Sequence, residues 1–327
     1  MAAGRRRGSP ARLLGYSPPA PAHHRLAPTK SSQNADGPTS HRAAGVLVKP
    51  ERAGTQWRLD QGRVRRCGVA KDRGDDLYAH PALYELAFSY RDVAAEVDVL
   101  EAWYARRHGT RPRRVLEVAA GPAAHAIEFA RRGCKVTVLD ASPTMCAYAR
   151  RRAAAEHVHL DVVQADMVRF VMLDSASHIL DLDAMVSHLR GVGTHLVRGG
   201  LYVMEMSHPA DFLGGSPTTQ SRWRLTRGAK RVDVTFSSPP AAFDPATQIW
   251  NCRISVRVTE TGRRRVLRSG IALRRWTAAE LEAAARLVGD LELVERHGSF
   301  AVDGPFGARD PSEWRMISVL GRTAPRT

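Results

Sequence analysis

The sequence predicts an α/β fold built on a mostly parallel sheet with an antiparallel β insertion, and three observations predict it. Arg114-Val115-Leu116-Glu117-Val118 is an apolar strand pattern running into a small-residue turn, Ala119-Ala120-Gly121-Pro122-Ala123. After a helical stretch, Lys135-Val136-Thr137-Val138-Leu139-Asp140 is a second strand pattern, ending on a carboxylate nineteen residues after Gly121. Past residue 220 the texture changes to long apolar/polar alternation, the pattern of half-buried antiparallel strands. Strands alternating with helices favour a parallel sheet, and such sheets bind ligands outside the carboxyl ends of their strands.

Taken in order, Leu77 to His108 reads as helical. Leu83, Leu86, Tyr90, Val93, Val97, Leu100 and Tyr104 fall three or four apart and form one face, while Tyr78, Tyr84 and Arg91 lie off that stripe. The strand Arg114 to Val118 leads through the turn to a helix over 123–132, then to the strand Lys135 to Asp140. A helix over 144–156 precedes the apolar run His157 to Val163, and a helix over 181–196 ends at Gly199-Gly200. A strand over 201–206 follows. Arg222 to Ser237 and Ile249 to Arg274 carry the alternation, with a hairpin turn at Thr259-Glu260-Thr261-Gly262. Thr277 and Glu280 form a capping box for a helix over 278–288 ending at Gly289, with Trp276 as its apolar staple. Leu291 to Glu295 and Trp314 to Leu320 are the last two strands.

The first turn holds one glycine and follows an acid, whereas a dinucleotide site of the nicotinamide type wants G-x-G-x-x-G. Glu117-Val118-Ala119-Ala120-Gly121-Pro122-Ala123 instead resembles motif I of the class I S-adenosylmethionine-dependent methyltransferases. Asp140-Ala141-Ser142-Pro143-Thr144-Met145 resembles that family's D-x-S-x-x-M segment. Gln164-Ala165-Asp166-Met167 resembles its adenine-side motif, and Leu196 to Val203 its glycine-pair entry into strand five. The four occur in the family's order. The resemblance covers residues 77–322 and implies a Rossmann-like methyltransferase fold of strand order 3-2-1-4-5-7-6. It implies S-adenosylmethionine as cofactor, a helical lid over 76–108, and a β insertion over 211–275 that shapes the acceptor pocket.

It also assigns roles. Asp140 accepts from the ribose hydroxyls, as a charged acceptor suits, or alternatively caps the next helix. Glu117 holds the methionine ammonium, or alternatively a strand-end salt bridge. Asp166 accepts from the adenine amino group, and Met145 packs on adenine or simply in the core. Ala119, Gly121, Ala141, Met167 and Asp174 complete the cofactor-binding set. Methyl transfer needs positioning and at most a base. His178 in Leu173-Asp174-Ser175-Ala176-Ser177-His178 is the first candidate base, His208 the second, and Glu205 a weaker third. Alanine replaces two motif glycines, at 119 and 123, on the expectation that φ stays negative there and that Gly121 is the position that most needs conformational freedom.

One stretch departs from the family. The connection from strand three to strand four must travel about 14 Å sideways across the sheet and back, and parallel crossovers usually take about a dozen residues. Only two residues separate Met167 from the sole candidate strand four, Phe170 to Leu173. The expectation is a deletion of about ten residues relative to the usual crossover, with strand three used as crossover or strand four reduced to a stub.

Charge and cysteines bound the remainder. The chain carries a net +16, of which residues 1–75 hold +10, fifteen Lys/Arg against five Asp/Glu. That Ala/Arg/Pro-rich stretch is expected to be a disordered tail, and 323–327 a short one. The tail, not the folded body, is read as the source of basicity, which argues against nucleic acid as a partner. An Arg-rich, acid-poor start fits an organelle transit peptide, but arginine outnumbers lysine 44 to 5, which GC-rich coding would equally produce. No apolar run reaches about eighteen residues, so no membrane span is predicted. Cys67, Cys134, Cys146 and Cys252 show no metal-ligand spacing and read as reduced thiols in a cytoplasmic protein, with no metal site. The function expected is methyl transfer to O or N of a small-molecule acceptor. Two alternatives stand beside it: a degenerate cofactor-binding fold, and an RNA or protein methyltransferase docking through the tail. The oligomeric state is not readable from the chain.

Overall fold

Two parallel strands next to one another set the architecture. β1 (Arg114–Val118) pairs with β2 (Lys135–Asp140) from Arg114↔Lys135 to Val118↔Leu139, and β3 (Asp161–Gln164) extends this sheet from Thr137↔Asp161 to Asp140↔Gln164. The computed structural model describes residues 77–165, 175–208, 221–237, 243–303 and 315–323. The expected tails apart from Thr323, whose amide donates to the Asp290 carbonyl at 3.0 Å, and Asp166, Met167, Asp174 and the strand-four segment Phe170 to Leu173 lie outside the described residues. β3 keeps its place beside β2, so strand three is not used as a crossover. It begins at Asp161, later than the apolar run at His157 suggested, because His157 stands at positive φ (55°) just past the preceding helix.

The second triplet is antiparallel: β4 (Leu201–Ser207) pairs with β11 (Arg315–Arg322), and β11 with β10 (Leu291–His297). The two triplets bury residues in one core. Val118 and Leu139 meet Tyr202, Met204, Met316 and Leu320 there, with Met185, Leu189 and Val192 from one helix and Leu281, Ala284 and Ala285 from another. Each large apolar side chain so buried contributes about 1.5–3 kcal/mol.

The helices begin where their caps direct. Ser142 accepts from the Met145 amide to start α4 (Pro143–Ala155), with Pro at its first position. Asp181 caps α5 (Leu182–His195), and the Thr277/Glu280 capping box starts α6 (Ala278–Val288), which stops at Gly289 in the left-handed region. α3 (Ala124–Arg131) follows the first turn. Trp276 is buried and donates its indole N–H to the Ile179 carbonyl, 3.0 Å.

The N-terminal helical stretch is broken, contrary to the continuous periodicity. A 3-10 turn (Leu77–Ala79) precedes α1 (Pro81–Ala87), and α2 (Val93–His108) starts anew where Asp92 accepts from the Ala95 amide. The gap lets the apolar spacing run through, yet Tyr90, counted on the buried stripe, is 42% exposed. It packs edge-on to Trp223, 5.8 Å between centroids.

The remaining strands build a separate antiparallel sheet: β5 (Ser221–Arg227), β6 (Lys230–Ser237), β8 (Ile249–Glu260) and β9 (Arg263–Arg274) in spatial order, with β7 (Phe243–Asp244) also on β8. The run Arg222 to Ser237 is thus a hairpin turning at Gly228, where φ is positive. Its inner face (Val232, Val234, Ile254, Val256, Val258, Leu267) packs on Leu77, Leu83, Leu86 and Ala87, so α1 lies against this sheet.

Candidate functional site

The strand ends and the helix that covers them build the site. At the end of β1 the chain enters the left-handed region three times in five residues: Ala119 (φ 50°), Gly121 (φ 51°) and Ala123 (φ 57°). The expectation of negative φ at the two alanines was wrong. Left-handed backbone costs an L-residue about 1–2 kcal/mol, and strain of this kind persists only where surrounding structure imposes it.

Asp140 holds this turn from the neighbouring strand. Its Oδ2 accepts from the Gly121 amide and its Oδ1 from the Ser142 amide, both at 2.8 Å, so one buried carboxylate joins the turns after β1 and β2. Helix capping at α4 falls to Ser142. Each Asp140 oxygen has a second lone pair beyond the one its backbone amide uses. Ala141 is exposed beside it, while Met145 is buried in the first turn of α4.

Glu117 lies beneath the turn, 1% exposed. Its Oε2 accepts from the Ala126 amide in the first turn of α3, 2.7 Å, and its buried Oε1 makes no hydrogen bond among the described residues. Burial pushes this carboxyl above the usual carboxylate range, against the opposing pull of His125 and the Ala126 amide.

Glu117 is the inner end of a buried ionic chain. His125 Nδ1 stands 3.7 Å from Glu117 Oε1, and its Nε2 is 2.8 Å from Glu96 Oε2. Glu96 takes Arg91 at 2.8 Å; Arg91 also donates to Glu205 Oε2 at 3.0 Å, and Glu205 pairs with Arg315. Burial raises Glu96, but His125 and Arg91 outweigh it and hold its carboxyl below the ordinary range. The Phe300 ring lies under both guanidinium groups, 5.5 Å from Arg91 and 5.4 Å from Arg315. Sequence reasoning named Arg91, Glu117 and Glu205 separately but missed Glu96, His125 and Arg315. A signal existed for Glu96: three residues after Val93 it borders the apolar stripe, where a charge demands a partner.

α1 covers the turn. A β-carbon on Gly121 would stand 3.8 Å from Tyr84 Cε1. Glu85 fixes α1 to α4, accepting from Tyr148 Oη at 2.5 Å and Arg152 at 3.2 Å, and Arg152 also donates to the Pro122 carbonyl at 3.0 Å. Burial and Glu85 together push the Tyr148 hydroxyl up to about 12. Tyr78 and Phe88 flank Tyr84, 5.6 and 4.6 Å between centroids.

His208 is buried directly after β4. His178 is half-buried at the end of a 3-10 turn (Ser175–His178) that packs against β4 and β9. Among the described residues no group of His, Cys, Asp and Glu could hold a metal ion, no helix is long and apolar enough to cross a membrane, and Cys134, Cys146 and Cys252 are free thiols.

Residues 115–196 match the family described as Methyltransferase domain. Among curated proteins none matches the sequence. Solved structures similar to the chain include DesVI of Streptomyces venezuelae, at 20% identity, TM-score 0.62, covering 75% of this chain and 98% of that one. CalS10, an amino pentose methyltransferase from Micromonospora echinaspora solved with S-adenosylmethionine bound, aligns at 19% identity and TM-score 0.58 over 74% of this chain and 97% of its own. The sugar N-methyltransferase KedS8 from Streptoalloteichus sp ATCC 53650 aligns at 19% identity and TM-score 0.58, over 87% and 100%.

Proposed function

We propose that this chain, whose residues 115–196 match a methyltransferase-domain family, is a class I S-adenosylmethionine-dependent enzyme that transfers a methyl group to an O or N atom of a small-molecule acceptor by in-line displacement. The observation that carries the reading is Asp140, whose buried carboxylate spans the turns after β1 and β2 and keeps lone pairs for ribose hydroxyls.

The side chains present fit the cofactor. Glu117 Oε1 is a buried acceptor with no hydrogen bond among the described residues, suited to an ammonium reaching it directly or through water. An ammonium there would hold Glu117 ionised against the effect of its burial. Gly121 leaves the backbone free of a β-carbon where Tyr84 closes over it. When bound, the sulfonium supplies an electrophilic methyl group. The protein's part is to orient the two reactants in line and exclude water, for which α1 acts as the lid. His208 or His178 takes the proton if the acceptor atom carries one. Two similar structures are named for amino-pentose and sugar N-methyl transfer, which makes an amino sugar the first acceptor to test.

The test is calorimetric titration of S-adenosylhomocysteine into wild type, Asp140→Asn and Asp140→Ala, each checked for folding. Micromolar binding by wild type and a loss of at least tenfold in Asp140→Asn is the expected result. A folded wild type that does not bind would reject the proposal and leave a degenerate fold.

A further inference from the structure

We propose that the outer face of the β5-β6-β8-β9 sheet docks the phosphate backbone of double-stranded RNA. Strand register puts its residues in rows. Arg222, Thr235, Ser255 and Arg268 form one row across the four strands; Arg224, Asp233, Arg257 and Val266 the next; Thr226, Arg231, Thr259 and Arg264 the third. Arg253 opens a fourth. Side-chain alternation places all of these opposite the face that packs on α1.

The face therefore holds seven arginines and one acid, Asp233, a net +6. The described residues hold 31 Lys/Arg and 22 Asp/Glu, a net +9, so this face carries two thirds of their excess positive charge. This corrects the reading that basicity belongs to the tail alone. Asp233 is shared by Arg224 and Arg231. The exposed side chains of Arg253, Arg257, Arg264 and Arg268 make no ion pair or hydrogen bond among the described residues.

The chemistry of the face selects its partner. Rows stand about 7 Å apart along a strand and neighbours about 4.8 Å across, so one face gathers several guanidinium forks, each able to grip phosphate bidentately. Val266 is the one apolar side chain in the three complete rows, whereas protein partners want a core of apolar and aromatic anchors; nucleic-acid interfaces are more polar and far more positive. No aromatic side chain stands in those rows to stack an unpaired base, which disfavours a single strand. A flat four-stranded face does not enter the major groove of DNA, which admits a helix or two-stranded ribbon. The wide, shallow minor groove of an RNA duplex presents phosphates and 2′-hydroxyls to such a surface, and the hydroxyls of Thr235 and Ser255 lie between Arg222 and Arg268 to meet them.

The experiment is fluorescence anisotropy with a labelled RNA duplex of about 16 base pairs, on the full chain and on its Arg253→Ser/Arg257→Ser/Arg264→Ser/Arg268→Ser variant, across a salt series. The basic tail is intact in both, so the difference reports the sheet face. These four substitutions break no ion pair, and a melting curve matching wild type confirms the fold. The expected result is binding at least tenfold weaker and a log–log salt slope shallower by about 3, four phosphate contacts fewer. Equal affinity and slope in the two proteins would overturn the proposal. A larger loss of affinity in the variant for a DNA duplex, an unpaired RNA strand, polyglutamate or phosphatidylserine vesicles than for the RNA duplex would also overturn it, by reassigning the face to that class of anion.

Discussion

Arg91, in the turn between α1 and α2, donates to Glu205 near the end of β4 at 3.0 Å, and the same guanidinium holds Glu96 at 2.8 Å. One side chain thus ties the segment that carries the covering helix to the sheet and to the His125–Glu117 pair below the turn. Arg91→Ala leaves two carboxylates short of a cation, although Arg315 still serves Glu205 and His125 still serves Glu96. The expected loss is about 1–3 kcal/mol, the range for a buried acceptor deprived of one charged donor, read as a lower urea midpoint. Arg91→Lys keeps the charge but not the planar fork, so it recovers only part of that stability. An unchanged midpoint in Arg91→Ala would show that the ionic chain contributes nothing net.

Glu117 gives a pH prediction. Its carboxyl is raised by burial in the folded protein, so the folded state holds the proton more tightly than the unfolded chain. That stabilisation is present in full below the unfolded pKa and fades as pH rises through the folded one. Glu96 is depressed and works in the opposite sense, stabilising above its unfolded pKa and failing as pH falls. Glu117→Gln should therefore hold its stability better than wild type as pH rises from the acid range to neutrality. The same variant should bind S-adenosylhomocysteine at least tenfold more weakly, because a neutral amide no longer offsets the ammonium. Loss of stability at neutral pH together with unchanged affinity would reject both halves.

What the chain disclosed divides by sequence distance. The two strands and the turn between them, the Thr277/Glu280 box and the glycine stop at Gly289 were legible because each rests on neighbours within a few residues. The break between α1 and α2 was hidden because Tyr90 and Val93 keep the helical spacing across it. Arg91 and Glu205 are 114 residues apart, and only the fold brings them together. Alternation announced β8 and β9, but which arginines share a face depended on the register Thr259↔Arg264, which no single strand encodes. Ala119 misled for a further reason: alanine says nothing local about φ, and its left-handed conformation belongs to a turn held from the neighbouring strand, by the Leu139 carbonyl on the Ala120 amide and the Asp140 carboxylate on the Gly121 amide.

Ala119 offers a stabilising substitution. At φ 50° it has the left-handed backbone that glycine adopts freely. Ala119→Gly should relieve about 1–2 kcal/mol of strain, against about 0.4–1 kcal/mol of added freedom in the unfolded chain. The expected net gain is small and positive, a rise of about 1–3 °C in melting temperature, with cofactor binding unimpaired. A clear fall in melting temperature would mean that the β-carbon packs usefully and the turn is not strained.

The hydroxyl of Tyr148 tests whether α1 acts as a lid. It meets Glu85 at 2.5 Å, and burial with that carboxylate raises it to about 12, so it stays a donor at every working pH. Tyr148→Phe removes this bond but leaves Arg152 on both Glu85 and the Pro122 carbonyl. Overall stability should fall by about 1 kcal/mol, while the local opening of α1 should become easier than global unfolding. Hydrogen exchange would then speed up over Pro81–Ala87 and stay unchanged in β1 and β2. If Tyr84 closes over bound cofactor, affinity for S-adenosylhomocysteine should fall severalfold through faster release, since the open helix no longer retains the ligand. Faster exchange over α1 with an unaltered release rate would show that α1 is packing only, and the lid would have to be sought elsewhere in the chain.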